Sequence, residues 1–132
     1  MDVSLRFTDE VRLRMTEAIA EASGNEVFFG GTIDSQGRII SVVVAARGNE
    51  DSVPVQLEVA YESHVLIHNH PSGNLNPSRD DLNLTKNIIT CCKPFDISVL
   101  DHIIIGNKRY LSFSEEGYLI WFVFIQINIL ID

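Results

Sequence analysis

Cysteine is scarce: two residues in 132, the adjacent Cys91 and Cys92. Neighbouring cysteines make a poor disulfide, and no CxxC or Cys/His finger spacing occurs, so a disulfide scaffold and a structural zinc finger are both excluded. The two thiols read as residues of a helix end or loop in a cytoplasmic protein. Basic residues are also few, with 10 Lys plus Arg against 18 Asp plus Glu and a net charge of −8. Phosphate neutralisation supplies most of the affinity of nucleic-acid binders, so direct nucleic-acid binding is disfavoured. The uncharged hydrophobic stretch Leu119 to Ile131 falls well short of the ~20 residues that span a bilayer. The opening MDVSLRFTDE is acidic and polar and lacks the pattern of a signal peptide.

What is present suits one soluble domain. Hydrophobic residues make up 45% and charged residues 21%, and a chain of this size buries roughly two thirds of its unfolded surface. Residues 1–119 read as a single domain and 120–132 as a hydrophobic tail. Alternation of Ile125, Ile127 and Ile129 with Gln126 and Asn128 suits a strand. The tail is then a final strand, an edge for a protein partner or a second copy, or an end foreign to the domain.

Residues 8–22 read as an amphipathic helix with Val11, Met15, Ala18, Ile19 and Ala22 on one face and Gly24 placed to end it. EVFFGGTI at 26–33, the turn DSQG and RIISVVVAA at 38–46 predict a hairpin. Pro54 opens a short helix over 54–62. HVLIH at 64–68 is a buried strand, and NHPSGNLNP is a loop dense in turn formers. Ser78 caps a helix running to about Cys92, with Asp81 three residues on. Strands follow at 97–105 and 109–113. Interleaved strands and helices without a repeat predict a mixed α/β domain.

The chemistry concentrates in HNHPSGNLNPSRDD, residues 68–81. Alternate side chains of an extended chain share a face, so His68 and His70 converge on one point. The loop can fold Asp81, in the first turn of the helix, back to the same point, with Asp80 as a competitor. Two imidazoles and a carboxylate leave a fourth tetrahedral position open, the pattern of catalytic zinc. Asn69 and Ser72 are expected to shape the loop by local hydrogen bonds. Asp101 and His102 alternate along one strand, so at most one faces the site. Asp101 is the expected partner of a metal histidine, and His64 reads as structural.

HxH, proline, PS and aspartate at this spacing resemble the signature of the JAMM (MPN+) metalloproteases. HNHPSGNLNPSRDD and LDHIIIGNKRYLSFSEEGYL are similar to the bacterial RadC branch, over about Asn25 to Leu119. NEVFFGGTIDSQGRI with ARGNE also resembles JAMM domains found ahead of bacterial helicases. The resemblance implies a cytidine-deaminase-like three-layer fold, a mixed sheet flanked by helices. It also implies one zinc ion and hydrolysis of a peptide or isopeptide amide. His68, His70 and Asp81 match the zinc ligands, and Ser78 matches the serine that helps to hold the oxyanion, though capping alone would account for it. Glu26 matches the general acid/base, with Glu21 and Glu50 as weaker alternatives. A binding module of DNA-repair or helicase machinery is the competing expectation. HxE and PCxxC are absent, so a deaminase is disfavoured.

Overall fold

The computed structural model describes residues 2–47, 65–92 and 99–120. The expected helix over 54–62, together with Glu50, His64, residues 97–98 and the tail from residue 121, lies outside the described residues. A short 3-10 turn at Val3–Leu5 leads into α1 (Asp9–Glu21), β1 (Val27–Ile33), β2 (Ile39–Arg47), β3 (Val65–Asn69), α2 (Arg79–Cys92), β4 (Asp101–Gly106) and β5 (Arg109–Ser112).

Local chemistry accounts for the element ends. Thr8 is the N-cap of α1: its side chain accepts from the Val11 amide at 3.3 Å, and Asp9 and Glu10 follow at the positive end of the helix. In the β1–β2 hairpin, Asp34 Oδ1 accepts from the amides of Gln36 and Arg38, each at 2.9 Å. Gly37 closes that turn at φ +80°.

The five strands form one sheet in the order β2-β1-β3-β4-β5. β3 and β4 are parallel, with α2 between them in the chain, and the other neighbours are antiparallel. Helices pack on both faces. Val11, Met15 and Ala18 of α1 join Val27, Phe29, Val65, Ile67, Ile103 and Ile105 on one side, with Ile19 and Ala22 at the margin. On the other side Ile88 and Cys92 of α2 cover Leu66, while Leu82 and Ile89 pack against Ile104 and Phe113. Each fully buried side chain of this kind contributes about 1.5–3 kcal/mol.

The expected three-layer α/β arrangement is therefore present. Central β3 is buried along its whole length, as expected of a strand covered on both faces. Edge strand β2 leaves Ile40 and Val43 half exposed, and irregularities in its pairing bend it against β1. Cys91 is exposed and Cys92 buried at the end of α2, and both are free thiols.

Candidate metal centre

Sheet register builds the site. β1 and β3 run antiparallel with Phe28 opposite His68. The same register, carried two residues on, sets Glu26 opposite His70. That closes the 42 residues separating Glu26 from His68 in the chain. Phe28 lies flat on the His68 ring, centroids 4.7 Å apart and planes 14° from parallel, which fixes the imidazole in rotation.

Beyond Asn69 the chain leaves the sheet. The His70 amide still donates to the Ile105 carbonyl at 2.9 Å, and the Asn74 amide donates to Ser72 Oγ at 3.2 Å within the loop. Ser72 thus acts locally, as expected, but Asn69 does not. Its side-chain oxygen reaches across to accept the Val27 amide at 2.7 Å, so it ties β1 to β3 rather than shaping the loop.

At the start of α2, Ser78 and Asp81 form a reciprocal cap. Ser78 Oγ accepts the Asp81 amide at 3.0 Å, and Asp81 Oδ2 accepts the Ser78 amide at 2.9 Å. This turns the Asp81 carboxylate inward, while Asp80 is exposed. Asp81 Oδ1 lies 3.2 Å from His68 Nε2, and Oδ2 lies 3.0 Å from His70 Nε2. The two Nε2 atoms are 3.0 Å apart. Glu26 Oε1 stands farther out, 3.9 Å from His70 Nε2. Ligand atoms of Glu26, His68 and His70 all lie within 4.8 Å of one another, a group that could hold a metal ion. Glu21 instead pairs with Arg47 on the surface, at 3.7 Å.

The donor set fits a metal cation. His70 Nδ1 is 2.7 Å from the Asn74 carbonyl; a carbonyl only accepts, so the proton sits on Nδ1 and a neutral His70 presents a bare Nε2. His68 Nδ1 is likewise engaged, 2.7 Å from His102 Nε2, and its Nε2 faces the same point.

Burial pushes the Asp81 carboxyl upward. Hydrogen bonds to His68 and His70, the His68 charge and the Ser78 amide outweigh this and hold it well below the usual carboxylate range. The hydrogen bond to Asp81 raises His70, against its own desolvation and with help from the Asn74 carbonyl. His102 is fully buried, and desolvation first, then the neighbouring His68, drives its pKa well below that of an ordinary imidazole.

Asp101, the expected partner of a metal histidine, faces the other way. Its carboxylate accepts from the Ser114 amide at 2.9 Å, from Ser112 Oγ, and from Arg6 at 3.4 Å, on the α1 side of the sheet. His102 takes the place expected of Asp101. Alternation puts His102 and Ile104 on one face of β4, and Ile104 pairs with His68. Strand parity relative to His68 was the signal that singles out His102.

A cleft of about 320 Å³ opens over the centre, lined by Glu26, His70, Ser72, Asn74, Asn76 and Ser78. A second cleft of about 540 Å³ shares His70 and Pro71 and is lined further by Arg12, Met15, Ile19 and Lys108. No helix among the described residues is long and apolar enough to cross a membrane.

Comparison with known proteins follows the same lines. A family model described as the RadC-like JAB domain matches residues 5–118. A UPF0758 protein of Latilactobacillus sakei subsp. sakei (strain 23K) is 55% identical over 56 residues, 42% of this chain and 25% of that protein. A UPF0758 protein of Shewanella baltica (strain OS185) is 36% identical over 102 residues, 71% of this chain and 45% of that protein. The chain therefore spans between a quarter and just under half of the length of these curated relatives.

Proposed function

The chain belongs to the RadC-like JAB domain family, and from that premise we propose that it is a zinc-dependent hydrolase of peptide or isopeptide amides. The single observation that carries this reading is the split between the two carboxylates. Asp81 sits 3.0 and 3.2 Å from the histidine Nε2 atoms, whereas Glu26 stands 3.9 Å away. The closer carboxylate suits a metal ligand. The farther one leaves the space across which a water can be handled.

His68, His70 and Asp81 would hold one zinc ion, with an open fourth position. Bound zinc supplies Lewis acidity, polarising an amide carbonyl and lowering the pKa of a water to about 7. Glu26 acts as general base toward the attacking water and then returns the proton to the leaving amine. Ser78 Oγ already accepts the Asp81 amide, so its own hydrogen is left to donate to an oxyanion in the cleft. Walls of asparagine and serine suit an extended polar backbone.

The test is zinc per chain in protein purified without chelator, beside His68→Ala/His70→Ala and Glu26→Gln. One zinc in the parent and in Glu26→Gln, none in the double variant, and amide hydrolysis in the parent alone is the expected result. A parent that takes no zinc when it is supplied overturns the reading. Hydrolysis retained by Glu26→Gln removes Glu26 from the mechanism.

A further inference from the structure

Behind the centre, away from the cleft, two polar groups without a role in the chemistry above, His102 and Thr85, are buried beside His68. His68, His102 and Thr85 are all 0% exposed, in a layer otherwise filled by Leu66, Ile88, Ile104 and Phe113. Buried polar groups are nearly always hydrogen-bonded. Here they form one chain: His68 Nδ1 to His102 Nε2 at 2.7 Å, His102 Nδ1 to Thr85 Oγ1, and Thr85 Oγ1 to the Asp81 carbonyl at 2.7 Å. It begins on one ligand candidate and ends on the backbone of another.

We infer that Thr85 and His102 are positioning residues that set the tautomer of His68. The direction of each hydrogen bond follows from donor counting, starting at the Asp81 carbonyl. The Asp81 carbonyl only accepts, so Thr85 must spend its single hydroxyl hydrogen there. Thr85 then offers His102 a lone pair, which draws the one proton of a neutral His102 to Nδ1. His102 Nε2 is left as an acceptor and takes the Nδ1 hydrogen of His68. His68 consequently presents Nε2 unprotonated toward the centre, as a metal donor must.

Three hydrogens serve four contacts, so one contact goes without, and the longest of the four is His68 Nε2 to Asp81 Oδ1 at 3.2 Å. A proton on His68 Nε2 would fill that contact at the expense of the 2.7 Å bond from Thr85 to the Asp81 carbonyl, since His102 would then donate through Nε2 and Thr85 to His102 Nδ1. The same threonine sits one turn after Asp81 on α2, so the wiring also couples the two sides of the centre. A single buried hydroxyl thereby decides which nitrogen of His68 carries its proton. This inference rests on the metal-site reading, but the His102 tautomer it specifies exists whether or not metal is bound.

The experiment uses the full chain as Thr85→Val, which keeps the shape of the side chain and removes the hydroxyl, with Thr85→Ser to restore it. Ring 15N shifts of His102 in the metal-free protein report its tautomer, and competition against a chromophoric chelator reports zinc affinity. The expected result is a His102 proton on Nδ1 in the parent and in Thr85→Ser, and a mixture in Thr85→Val. Zinc affinity should fall about 10- to 100-fold in Thr85→Val, as for other losses of support behind a metal ligand, and recover in Thr85→Ser. A His102 proton on Nε2 in the parent overturns the inference, as does unchanged zinc affinity in Thr85→Val. A parent that takes no zinc overturns the metal-site reading instead, and the His102 tautomer then decides the wiring alone.

Discussion

Replacing Gly73 by alanine separates two costs that glycine usually hides together. Gly73 lies in the loop after His70 at φ +81°, and a Cβ there would collide with the Asn107 side-chain amide, with Asn107 Cγ only 2.9 Å away. Gly37, in the β1–β2 turn, has nearly the same φ of +80° but nothing within 4 Å of its Cβ position. Both substitutions carry the left-handed penalty of about 1–2 kcal/mol. Only Gly73→Ala must also push a short side chain out of its rotamer, a further cost of about 0.5–1.5 kcal/mol. With a urea slope of roughly 1–3 kcal/mol/M, an extra 1 kcal/mol lowers the unfolding midpoint by about 0.3–1 M. The two variants, unfolded side by side with equal slopes, should differ by that amount. Zinc binding should weaken in Gly73→Ala alone, because the Gly73 amide donates to the His70 carbonyl at 2.9 Å and a displaced loop carries His70 with it. Equal midpoints and equal zinc affinities would refute the argument that the loop is seated on the β4–β5 turn through Gly73.

Three further outcomes are expected. Asp101→Asn should cost about 1.5–3 kcal/mol, the range for hydrogen bonds to a charged group, since Asp101 is 1% exposed and serves Arg6, Ser112 and Ser114; zinc stoichiometry, measured alongside urea unfolding, should not change. Asn69→Ala leaves the buried Val27 amide without its acceptor, a loss of about 1–3 kcal/mol. It frees the β1 end next to Glu26, so hydrolysis should fall more than zinc affinity; parallel losses would place Asn69 in metal binding itself. Zinc competes with the His70 proton, which Asp81 stabilises above the ordinary imidazole value of 6.5, so the loss of affinity on acidification should begin above that pH, at about tenfold per unit. The Asp81 carboxyl, held low, stays ionised through this window, and a chelator titration showing flat affinity across it would contradict the His70 assignment.

Much of this was readable from local pattern. The α1 stripe, the hairpin around DSQG, the Ser78 cap and the HxH pair are encoded within a few residues, where periodicity and turn chemistry act directly. Sites set by register were less legible. Nothing near Glu26 marks it as part of a metal centre. It is the pairing of Phe28 with His68 that brings it to His70, and strand pairing depends on residues far apart in the chain. The choice between Asp101 and His102 failed for a related reason. Alternation limits the site to one of them, but which one depends on the parity of β4 relative to β3, and that is set by the parallel pairing of Ile104 with His68. Asp101 is the more familiar partner for a metal histidine, yet Arg6 and the β5 serines claim it.

The same dependence on register makes the site hard to misassemble. Even-numbered positions of β1, β3 and β4 (Phe28, Leu66, His68, His102, Ile104) face α2, and odd-numbered ones (Val27, Phe29, Ile67, Ile103, Ile105) form the core beneath α1. A one-residue slip of β1 against β3 would carry Glu26 to the wrong face. It would also turn Val27 and Phe29 out of the α1 core, where each contributes about 1.5–3 kcal/mol. Together the two raise the slipped register by about 3–6 kcal/mol relative to the native one, enough to leave it essentially unpopulated. Apolar residues away from the centre therefore hold the Glu26 carboxylate opposite His70, and substitutions in the α1 core that loosen register should reach the centre through Glu26 before they reach His68 or His70.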